Sequence, residues 1–393
     1  MKQGWELKKL GDVCETGAGG TPLKTHKDYY EGGTIPWLLS GEVSQGEIFE
    51  AKNFITEKGL KNSSAKLFPP NTVLVAMYGA TAGQVGILRF EAATNQAVCG
   101  ILPNDKTIPE YLFYCFLEKK EELIAQAVGG AQPNISQIKI KNTKIPLPPL
   151  PEQQRIVSIL DEAFAAIAKA KANAEQNLKN AKELFESYLQ GVFENKNWET
   201  KTLGEIGSPK MCKRILKHQT STTGEIPFYK IGTFGKTPDA FISKEIYDEF
   251  RTKYSFPKKG DVLISASGTI GRRVRYDGEP AFFQDSNIVW IDNDEKHVLN
   301  DYLYVFYEFC DWQPSKGATI SRLYNSNLTS IKIVFPKSLE EQKNILLKID
   351  AVSSETKKLE SIYQQKINDL EELKKSILQK AFAGELKTSQ EVV

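Results

Sequence analysis

The amino-acid sequence predicts an α/β (α+β) fold with an internal pseudo-twofold repeat, in which two mixed α/β domains are separated by two long antiparallel coiled-coil helices. Apolar residues recur every three or four positions over 150–193 and again over 339–386, which is typical of helices with one buried stripe. The segments before these helices repeat one order of strand, turn and helix signals. The two observations together predict a duplicated chain.

The two predicted helices share one register. Gln153 aligns with Gln342, and the segment 187–193 aligns with 376–382, so the offset is 189 at both ends (342 − 153 and 376 − 187). About forty helical residues extend about 60 Å, which is too long for a helix inside one ordinary domain, so each helix needs a partner of equal length. The simplest partner is the other copy, in an antiparallel coiled coil. The alternative is two unrelated amphipathic helices, each lying on its own domain.

The apolar residues of each stripe are expected to lie where the two helices meet. In the first helix they are Leu160, Phe164, Ile167, Ala174, Leu178, Ala181, Phe185, Tyr188 and Val192. In the second helix they are Ile345, Ile349, Val352, Leu359, Tyr363, Leu370, Leu373 and Ile377. A heptad-like stripe of this kind is buried when it meets another stripe.

The repeat divides the chain into consecutive segments. They are a first domain (1–149), a first long helix (150–194), a second domain (195–338), a second long helix (339–386) and a polar tail (387–393). The heptapeptide WELKKLG at Trp5 recurs as WETKTLG at Trp198, and the predicted strand Ile35-Pro-Trp-Leu recurs as Ile226-Pro-Phe-Tyr. A helix is predicted over 110–127 in the first domain. The loop residues do not repeat, so the frame is duplicated while the loops differ.

The composition is that of an ordinary soluble protein. Of 393 residues, 40% are apolar and 25% are charged, which suits two or three globular domains. The chain has no run of eighteen apolar residues and no signal-peptide core, so we expect a cytoplasmic protein. A net charge of +2 neither requires nor excludes nucleic acid, so any basic patch must be local.

The motifs of common catalytic and metal sites are absent from the sequence. The five cysteines are odd in number and never form a CxxC pair, and only three histidines occur, so neither a disulfide framework nor a zinc site is expected. There is no GxxxxGK[ST] phosphate loop, no complete GxGxxG and no Asn-Pro-Pro-aromatic motif of an amino-methyltransferase. No catalytic constellation is predicted, and the glycine-rich segments are interpreted as turns.

Basic side chains on or beside predicted loops are the binding candidates of the second domain. They are Lys213, Arg214, Lys217, Arg272, Arg273, Arg275, Lys316 and Arg322. Such residues can neutralise phosphates and make bidentate contacts to guanine, although single lysines or arginines are also ordinary surface charges. For the arginines at 272, 273 and 275 we favour DNA contact, because they follow a glycine turn at a strand end.

The first domain offers mainly neutral polar candidates. They are Lys24, Tyr78, Thr81, Gln84, Asn95, Gln96, Gln132 and Asn134. Amide side chains can read the edge of adenine, but they also serve as plain turn residues. The candidate DNA-binding set is completed by Ser40, Thr233, Thr269 and Asn287.

The order of the segments and several motifs resemble the specificity subunit of type I restriction-modification systems. Each variable domain is followed by a long helix that opens with PLPPLPEQQRIV (146–157) or with its altered copy FPKSLEEQKNIL (335–346). Further motifs that carry the resemblance are Ile35-Pro-Trp-Leu, Val75-Ala-Met-Tyr-Gly-Ala-Thr-Ala-Gly, Ala93-Thr-Asn-Gln-Ala and Gly129-Gly-Ala-Gln-Pro-Asn-Ile. The second copy departs from the pattern where Asn95-Gln96 becomes Asp285-Ser-Asn287, so the two domains are not equivalent residue by residue.

The resemblance implies two target recognition domains, each of which reads one half of a bipartite, asymmetric DNA target. It implies that the helices set the spacer between the half-sites and form the docking surface for two methyltransferase subunits, which bind S-adenosylmethionine and methylate adenine. Restriction subunits that use ATP and Mg are expected to join them, and no cofactor is expected in this chain.

We therefore expect a noncatalytic subunit that recognises double-stranded DNA. One alternative is an enzyme that methylates or cuts DNA by itself, and the missing motifs count against it. The other alternative is a coiled-coil scaffold without DNA contact, which the nearly neutral net charge mildly favours and the basic loop residues oppose.

Overall fold

The chain divides into two compact units. The structure is a computed structural model that describes residues 4–126, 134–316 and 321–386. Unit 1 comprises Met1–Glu175 with Gln364–Val393, and unit 2 comprises Gln176–Tyr363. Both boundaries fall inside long helices, so each unit contains the start of one long helix and the end of the other.

Unit 1 is built on two mixed sheets. Its strands are β1 (Glu6–Lys9), β2 (Thr16–Ala18), β3 (Ile35–Leu38), β4 (Glu47–Ile48), β5 (Phe54–Ile55), β6 (Leu67–Phe68), β7 (Val73–Ala76), β8 (Val85–Leu88), β9 (Ala92–Thr94), β10 (Val98–Ile101) and β11 (Lys144–Leu147). Its short helices are α1 (Glu57–Lys61), α2 (Pro109–Glu118), α3 (Lys120–Ala125) and α4 (Gln137–Asn142). The sheet orders are β2-β10-β7-β8-β4 and β5-β3-β9-β6, beside the pair β1-β11. The helix predicted over 110–127 is divided between α2 and α3 at Lys119.

Unit 2 repeats this frame. The long helix α5 (Leu150–Phe193) leads into it, and its strands are β12 (Glu199–Thr202), β13 (Gly207–Lys210), β14 (Ile226–Tyr229), β15 (Phe241–Ile242), β16 (Val262–Ser265), β17 (Arg273–Arg275), β18 (Phe282–Phe283), β19 (Ile288–Asn293), β20 (Ser315–Lys316), β21 (Ser321–Arg322) and β22 (Lys332–Phe335). Its other helices are α6 (Leu203–Ile206), α7 (Lys244–Lys253), α8 (Asn300–Phe309), α9 (Asn325–Ser330) and the start of α10 (Leu339–Ala383). The sheet β13-β19-β16-β17 corresponds to β2-β10-β7-β8, and the pair β12-β22 corresponds to β1-β11. The predicted duplication is confirmed.

The central strands are buried on both faces. Successive side chains of a strand point in opposite directions, so each of these strands contributes to two hydrophobic clusters. In unit 1, Val73 and Val75 of β7 face a cluster that includes α2, while Leu74 faces a second cluster around Phe68. In unit 2, Val262 and Ile264 of β16 face the helical side, while Leu263 faces the cluster around Phe282. This double burial explains why the strands are uniformly apolar rather than alternating.

Both long helices complete the hydrophobic core of each unit. In unit 1, Leu160 of α5 and Phe382 of α10 belong to one cluster, and the Phe382 ring lies 5.3 Å from the ring of Tyr111 in α2. In unit 2, Leu189 of α5 and Ile349 of α10 belong to the cluster that covers β16 and β19.

In unit 1, Nζ of Lys374 in α10 lies 4.7 Å from the ring centre of Phe164 in α5, and Lys171 is paired with Glu371. Residue numbers therefore rise along α5 where they fall along α10, so the two helices are antiparallel in this unit.

The second helix presents a slightly different face from the one that its apolar stripe predicts. Leu359 is 36% exposed and Leu373 is 47% exposed, whereas Thr356 is buried and donates a hydrogen bond of 2.9 Å from Oγ1 to the carbonyl of Val352. Half-buried Glu360 occupies the flank that Leu359 was predicted to occupy. Neighbouring residues of a helix point about 100° apart, so a shift of one residue moves the buried stripe to a different face. The spacing of apolar residues in the sequence alone does not decide which of these two faces is buried.

A buried glutamine ties the start of each long helix to its unit. Gln153 donates from Nε2 to the carbonyls of Lys106 and Pro148, both at 2.9 Å, and its Oε1 accepts from the amide of Ile108 at 3.0 Å. Gln342 makes the equivalent bonds to the carbonyls of His297 and Pro336 and to the amide of Leu299. The amide group is satisfied at three points, which anchors the first turn of each helix to the loops around it.

Membrane-spanning helices and metal-binding groups are absent from the described residues. None of their helices is both long and apolar enough to cross a membrane. Within the same ranges, no group of three His, Cys, Asp or Glu side chains is placed to hold a metal ion. The five cysteines are free thiols.

Deletion of the C-terminal residues 364–393 should unfold unit 1 and leave unit 2 folded, although most of unit 1 is formed by residues 1–175. The deletion removes Leu378, Ala381 and Phe382 from the unit 1 core, and each large apolar side chain lost from a core costs about 2–5 kcal/mol. Hydrogen exchange measures the result directly. We expect amide protection to fall in β7 and β10 and to persist in β16 and β19, while a control deletion of 388–393 changes neither. Loss of protection confined to unit 2 would contradict this account of the cores.

Candidate nucleic-acid interface

The ends of several strands in unit 1 bring five loops together. The amide of Gly20 bonds to the carbonyl of Thr94 at 2.9 Å, and that of Met77 bonds to the carbonyl of Ala97 at 2.7 Å. The amide of Ile135 bonds in turn to the carbonyl of Met77 at 2.8 Å. We call these loops (19–24, 38–40, 77–84, 94–97 and 134–136) the unit 1 loop edge. Main-chain bonds hold it, so its side chains are left for other contacts.

Polar side chains crowd the unit 1 loop edge. Thr21 Oγ1 donates a hydrogen bond to Oε1 of Gln96. Tyr78 is exposed, forms an isolated β-bridge with Asn134, and its carbonyl accepts a bond of 3.2 Å from Oγ1 of Thr81. The structure therefore brings most of the predicted polar residues of the first domain to one edge.

The remaining candidates of the first domain lie around the same loops. Lys24 is exposed at the end of the 19–24 loop, and half-buried Ser40 begins the short 3-10 helix Ser40–Gln45. Gln84 is half-buried, and its carbonyl accepts a bond of 2.9 Å from the amide of Ala76. Gln132 lies outside the described residues.

Glycines make the close approach of these loops possible. A Cβ atom on Gly19 would lie 2.2 Å from Oγ1 of Thr94, and one on Gly20 would lie 2.3 Å from the amide nitrogen of Ala65. Any side chain at either position would collide with backbone or with a buried hydroxyl. The glycine-rich segment is thus a packing requirement of the loop edge, which agrees with its interpretation as a turn.

Unit 2 has the same main-chain frame. The amide of Ala266 bonds to the carbonyl of Asn287 at 2.7 Å, and the amide of Leu323 bonds to the carbonyl of Ala266 at 2.9 Å. An isolated bridge joins Ser267 to Arg322, as one joins the equivalent residues of unit 1. We call 211–217, 229–236, 266–271, 284–287 and 321–322 the unit 2 loop edge.

Charged side chains occupy the unit 2 loop edge. Arg214 Nε donates to Oδ2 of Asp285 at 2.9 Å, and Arg322 Nη2 donates to the carbonyl of Ser286 at 2.8 Å. Oδ1 of Asn287 accepts bonds from Oγ of Ser267 (2.8 Å) and from Arg322 (3.3 Å). The result is a connected polar network on the surface of the loops.

The flanking loop residues are arranged around this network. Lys213 Nζ lies 4.7 Å from the centre of the Tyr254 ring, a cation–π distance, and Lys217 is exposed at the start of a 3-10 turn. The hydroxyl of Thr233 caps its turn by accepting from the amide of Lys230 at 3.1 Å. Burial raises the pKa of the neighbouring Cys212 thiol to about 12, so this thiol stays neutral.

The last candidates of unit 2 lie on the turn between β16 and β17 and beyond it. The carbonyl of Thr269 accepts a bond from Oγ of Ser265. Arg272 Nη1 donates to the carbonyl of Phe234 at 3.0 Å, so it braces two loops of the edge. The side chain of Lys316 lies outside the described residues.

Arg273 and Arg275 lie elsewhere. Arg273 is paired with Glu308 at 2.6 Å and Arg275 with Asp301 at 2.8 Å, and both guanidinium groups stack 4.6 Å from the ring centre of Tyr304. All three of these partners belong to α8. Because residues two apart on a strand share a face, both arginines of β17 lie on the α8 side of the sheet rather than on the loop edge. Arg273 and Arg275 follow a glycine turn in the sequence, but this position did not bring them to the loop edge where the other candidates lie.

Sequence reasoning missed two residues of the loop edges. Thr21 and Asp285 are the partners of Gln96 and Arg214, yet neither was a candidate. The strand register that brings them to their partners is not visible in the sequence. Aligning the two copies at the Asn95 and Asp285 segments was the one signal that could have indicated Asp285.

Comparison with known proteins identifies the family. Residues 2–179 and 195–372 each match the model of the type I restriction modification DNA specificity domain. The chain belongs to this family. It is a type I restriction-modification specificity subunit with two recognition domains, as its sequence motifs predicted.

Relatives and solved structures agree. The chain is 49% identical over 230 residues to a putative type I restriction enzyme specificity subunit of Haemophilus influenzae, a match that covers 56% of this chain and 59% of that relative. It is 26% identical over 417 residues to the type I restriction enzyme MjaIX specificity subunit of Methanocaldococcus jannaschii, covering 98% and 94%. A structure from a study of complex assembly in the type I R-M system aligns with a TM-score of 0.75 at 22% identity, over 98% and 99% of the chains. The HsdS subunit of Thermoanaerobacter tengcongensis aligns with a TM-score of 0.65 at 20% identity, over 98% of each chain. At these identities the structural matches establish the fold.

Proposed function

We propose that this chain is the noncatalytic subunit that recognises DNA in a type I restriction-modification complex, and that each unit reads one half of a bipartite, asymmetric target. The observation that carries the proposal is one main-chain frame with two different sets of side chains. The bridge between Tyr78 and Asn134 in unit 1 has its counterpart between Ser267 and Arg322 in unit 2. A constant frame positions the loops, and different side chains select different bases.

In this proposal the chemistry belongs to partner subunits. Two methyltransferase subunits bind S-adenosylmethionine and methylate the target, and restriction subunits supply ATP- and Mg-dependent cleavage. The complex works in the cytoplasm. The family supports this division of labour.

The chain alone should transfer no methyl group to DNA. A preparation shown to be free of other subunits is incubated with target DNA and labelled S-adenosylmethionine, and incorporated label is counted. We expect incorporation at background level, and activity on addition of the methyltransferase subunit. Label transferred by the isolated chain would instead favour the alternative of an enzyme that acts by itself.

Exchange of one unit's recognition segment should change one half of the target. Replacing 1–149 with the equivalent domain of a relative is expected to alter one half-site and leave the other intact, because the reading loops of unit 1 lie in that segment. Mapping of methylated bases in a host that expresses the complex gives the result, and the reciprocal exchange of 195–338 is the matched control. If either exchange altered both halves or neither, the units would not be independent readers, and a scaffold that makes no DNA contact would explain the second result.

The long helices are proposed to set the spacer between the half-sites and to dock the methyltransferase subunits. They are 44 and 45 residues long, which corresponds to about 66 Å at about 1.5 Å per residue. Leu184, Leu347 and Ile362 are large apolar side chains that stay exposed on them. Exposed apolar groups on a helix are suited to contact with a partner helix, which supports the docking role.

Insertion of one heptad after Ala174 should lengthen the recognised spacer by about one to three base pairs. The insertion preserves the phase of the buried stripe and adds about 10 Å, equivalent to about three base pairs of about 3.4 Å, of which DNA bending can absorb a part. The half-site sequences should not change.

Methylation mapping of the heptad variant provides the measurement, with a two-residue insertion at the same point as the control. Two residues rotate the following stripe by about 200°, so that control should lose assembly. An active heptad variant that kept its original spacer would show that helix length does not set the distance.

A further inference from the structure

Arg214 carries an exposed guanidinium group that is tied to the protein at one point. Its side chain is 68% exposed, and its Nε donates a hydrogen bond of 2.9 Å to Oδ2 of Asp285, whose side chain is only 15% exposed. Arg214 forms no second hydrogen bond to the described part of the chain. Its two terminal amino groups therefore remain open to a ligand, while the hydrogen bond at Nε restrains the guanidinium group.

The turn that carries Asp285 is held from several directions. The amide of Asn287 bonds to the carbonyl of Asp285 at 2.7 Å, and Ser286 between them has a φ of 59°, in the left-handed region. Arg322 bonds to the carbonyl of Ser286, and Ser267 bonds to the side chain of Asn287, both at 2.8 Å. A non-glycine residue in this conformation costs free energy, which the surrounding contacts offset. The main chain that carries the Asp285 carboxylate is therefore held in place.

The strand register identifies the equivalent position in unit 1. In unit 1, Gly17 of β2 lies opposite Gly100 of β10, and in unit 2, Lys210 of β13 lies opposite Trp290 of β19. Gly100 and Trp290 also pair with corresponding leucines of the next strands, β7 and β16. Counting four residues onward from Gly17 and from Lys210 therefore reaches equivalent places on the two loop edges.

Those two places carry different chemistry. Thr21 stands in unit 1 where Arg214 stands in unit 2, and Thr21 bonds to the neutral amide of Gln96 rather than to a carboxylate. The full sequence has only two arginines within unit 1, Arg89 and Arg155. Both bond to glutamate side chains and lie outside the loop edge. The unit 1 loop edge therefore has no guanidinium group to offer.

We propose that Arg214 reads a guanine in the half-site bound by unit 2, and that Asp285 is the positioning residue that orients its guanidinium; the inference rests on the function proposed above. Guanine presents O6 and N7 side by side in the major groove, and the parallel N–H groups of arginine match them. An arginine that a carboxylate already holds loses less side-chain entropy when it binds DNA. More of the free energy of its contact with guanine then contributes to the preference for guanine over other bases. Unit 1 reads its half-site with amide and hydroxyl groups instead.

The test compares base preference in four variants of the complex. The chain is expressed with its methyltransferase subunit, modified bases are mapped across the host genome, and the half-site of unit 2 is identified by exchange of 195–338. Arg214→Ala, Arg214→Lys and Asp285→Asn are compared with Asp248→Asn. The last removes a carboxylate from an exposed ion pair with Lys244 on α7, outside the loop edge. Duplexes that differ at one base pair then give relative affinities.

We expect Arg214→Ala to reduce the preference for one G·C pair in that half-site by about 5- to 150-fold. Arg214→Lys should relax the same position, because lysine keeps the charge but not the paired donors. Asp285→Asn should relax that position to a smaller extent, and Asp248→Asn should leave the target unchanged. If the alanine variant methylates nothing, the lysine and Asp285→Asn variants still decide the question.

Three results would overturn the inference. The relaxed position could prove not to be a G·C pair, or Asp285→Asn could relax a different position or none. Arg214→Lys could also keep full base preference, with weaker binding to every sequence, which is the behaviour of a phosphate contact. A wild-type complex without any bipartite sequence preference would contradict the proposed function itself, and is thereby distinguished from these outcomes.

Discussion

The structure depends on the burial of helix ends inside both cores. Leu160 and Leu378 lie 218 residues apart in sequence (378 − 160), yet they share the hydrophobic cluster that closes unit 1. Leu189 and Ile345 do the same for unit 2. Neither unit can bury its sheet with a contiguous stretch of chain, so folding of each globule requires both long helices. Within each unit the long helices are therefore part of the hydrophobic core rather than flexible linkers.

The loop edges show how recognition can diverge without loss of stability. The bonds that join the loops run between main-chain groups, as between Met77 and Ala97 in unit 1 and between Ala266 and Asn287 in unit 2. Apart from glycines such as Gly19 and Gly20, where a Cβ atom would collide, these main-chain bonds do not depend on which side chain each residue carries. Thr21 with Gln96 and Arg214 with Asp285 can therefore occupy one place in two copies of a frame, as the proposed reading of two different half-sites requires.

The sequence was sufficient for the architecture because periodicity and internal repetition are properties of the chain itself. The long helices, the duplication, and strands such as Val73–Ala76 and Val262–Ser265 follow from them. The phase of the second stripe did not follow, since Leu359 and Glu360 differ by one residue and only packing decides between them. Partners of charged side chains did not follow either. Arg273 pairs with Glu308 of α8, and Arg214 pairs with Asp285. The partners in each pair are far apart in sequence and meet only in the folded chain.

The central claim is that two separate loop edges of one chain contact the bases of two separated half-sites. Missing-base interference tests it most directly: single bases are removed chemically from the mapped target, and DNA that still binds the complex of this chain with its methyltransferase subunit is separated from DNA that does not. The account predicts two clusters of positions at which base loss weakens binding, divided by a stretch where base loss has no effect. One continuous run of interfering positions, or interference nowhere, would contradict it.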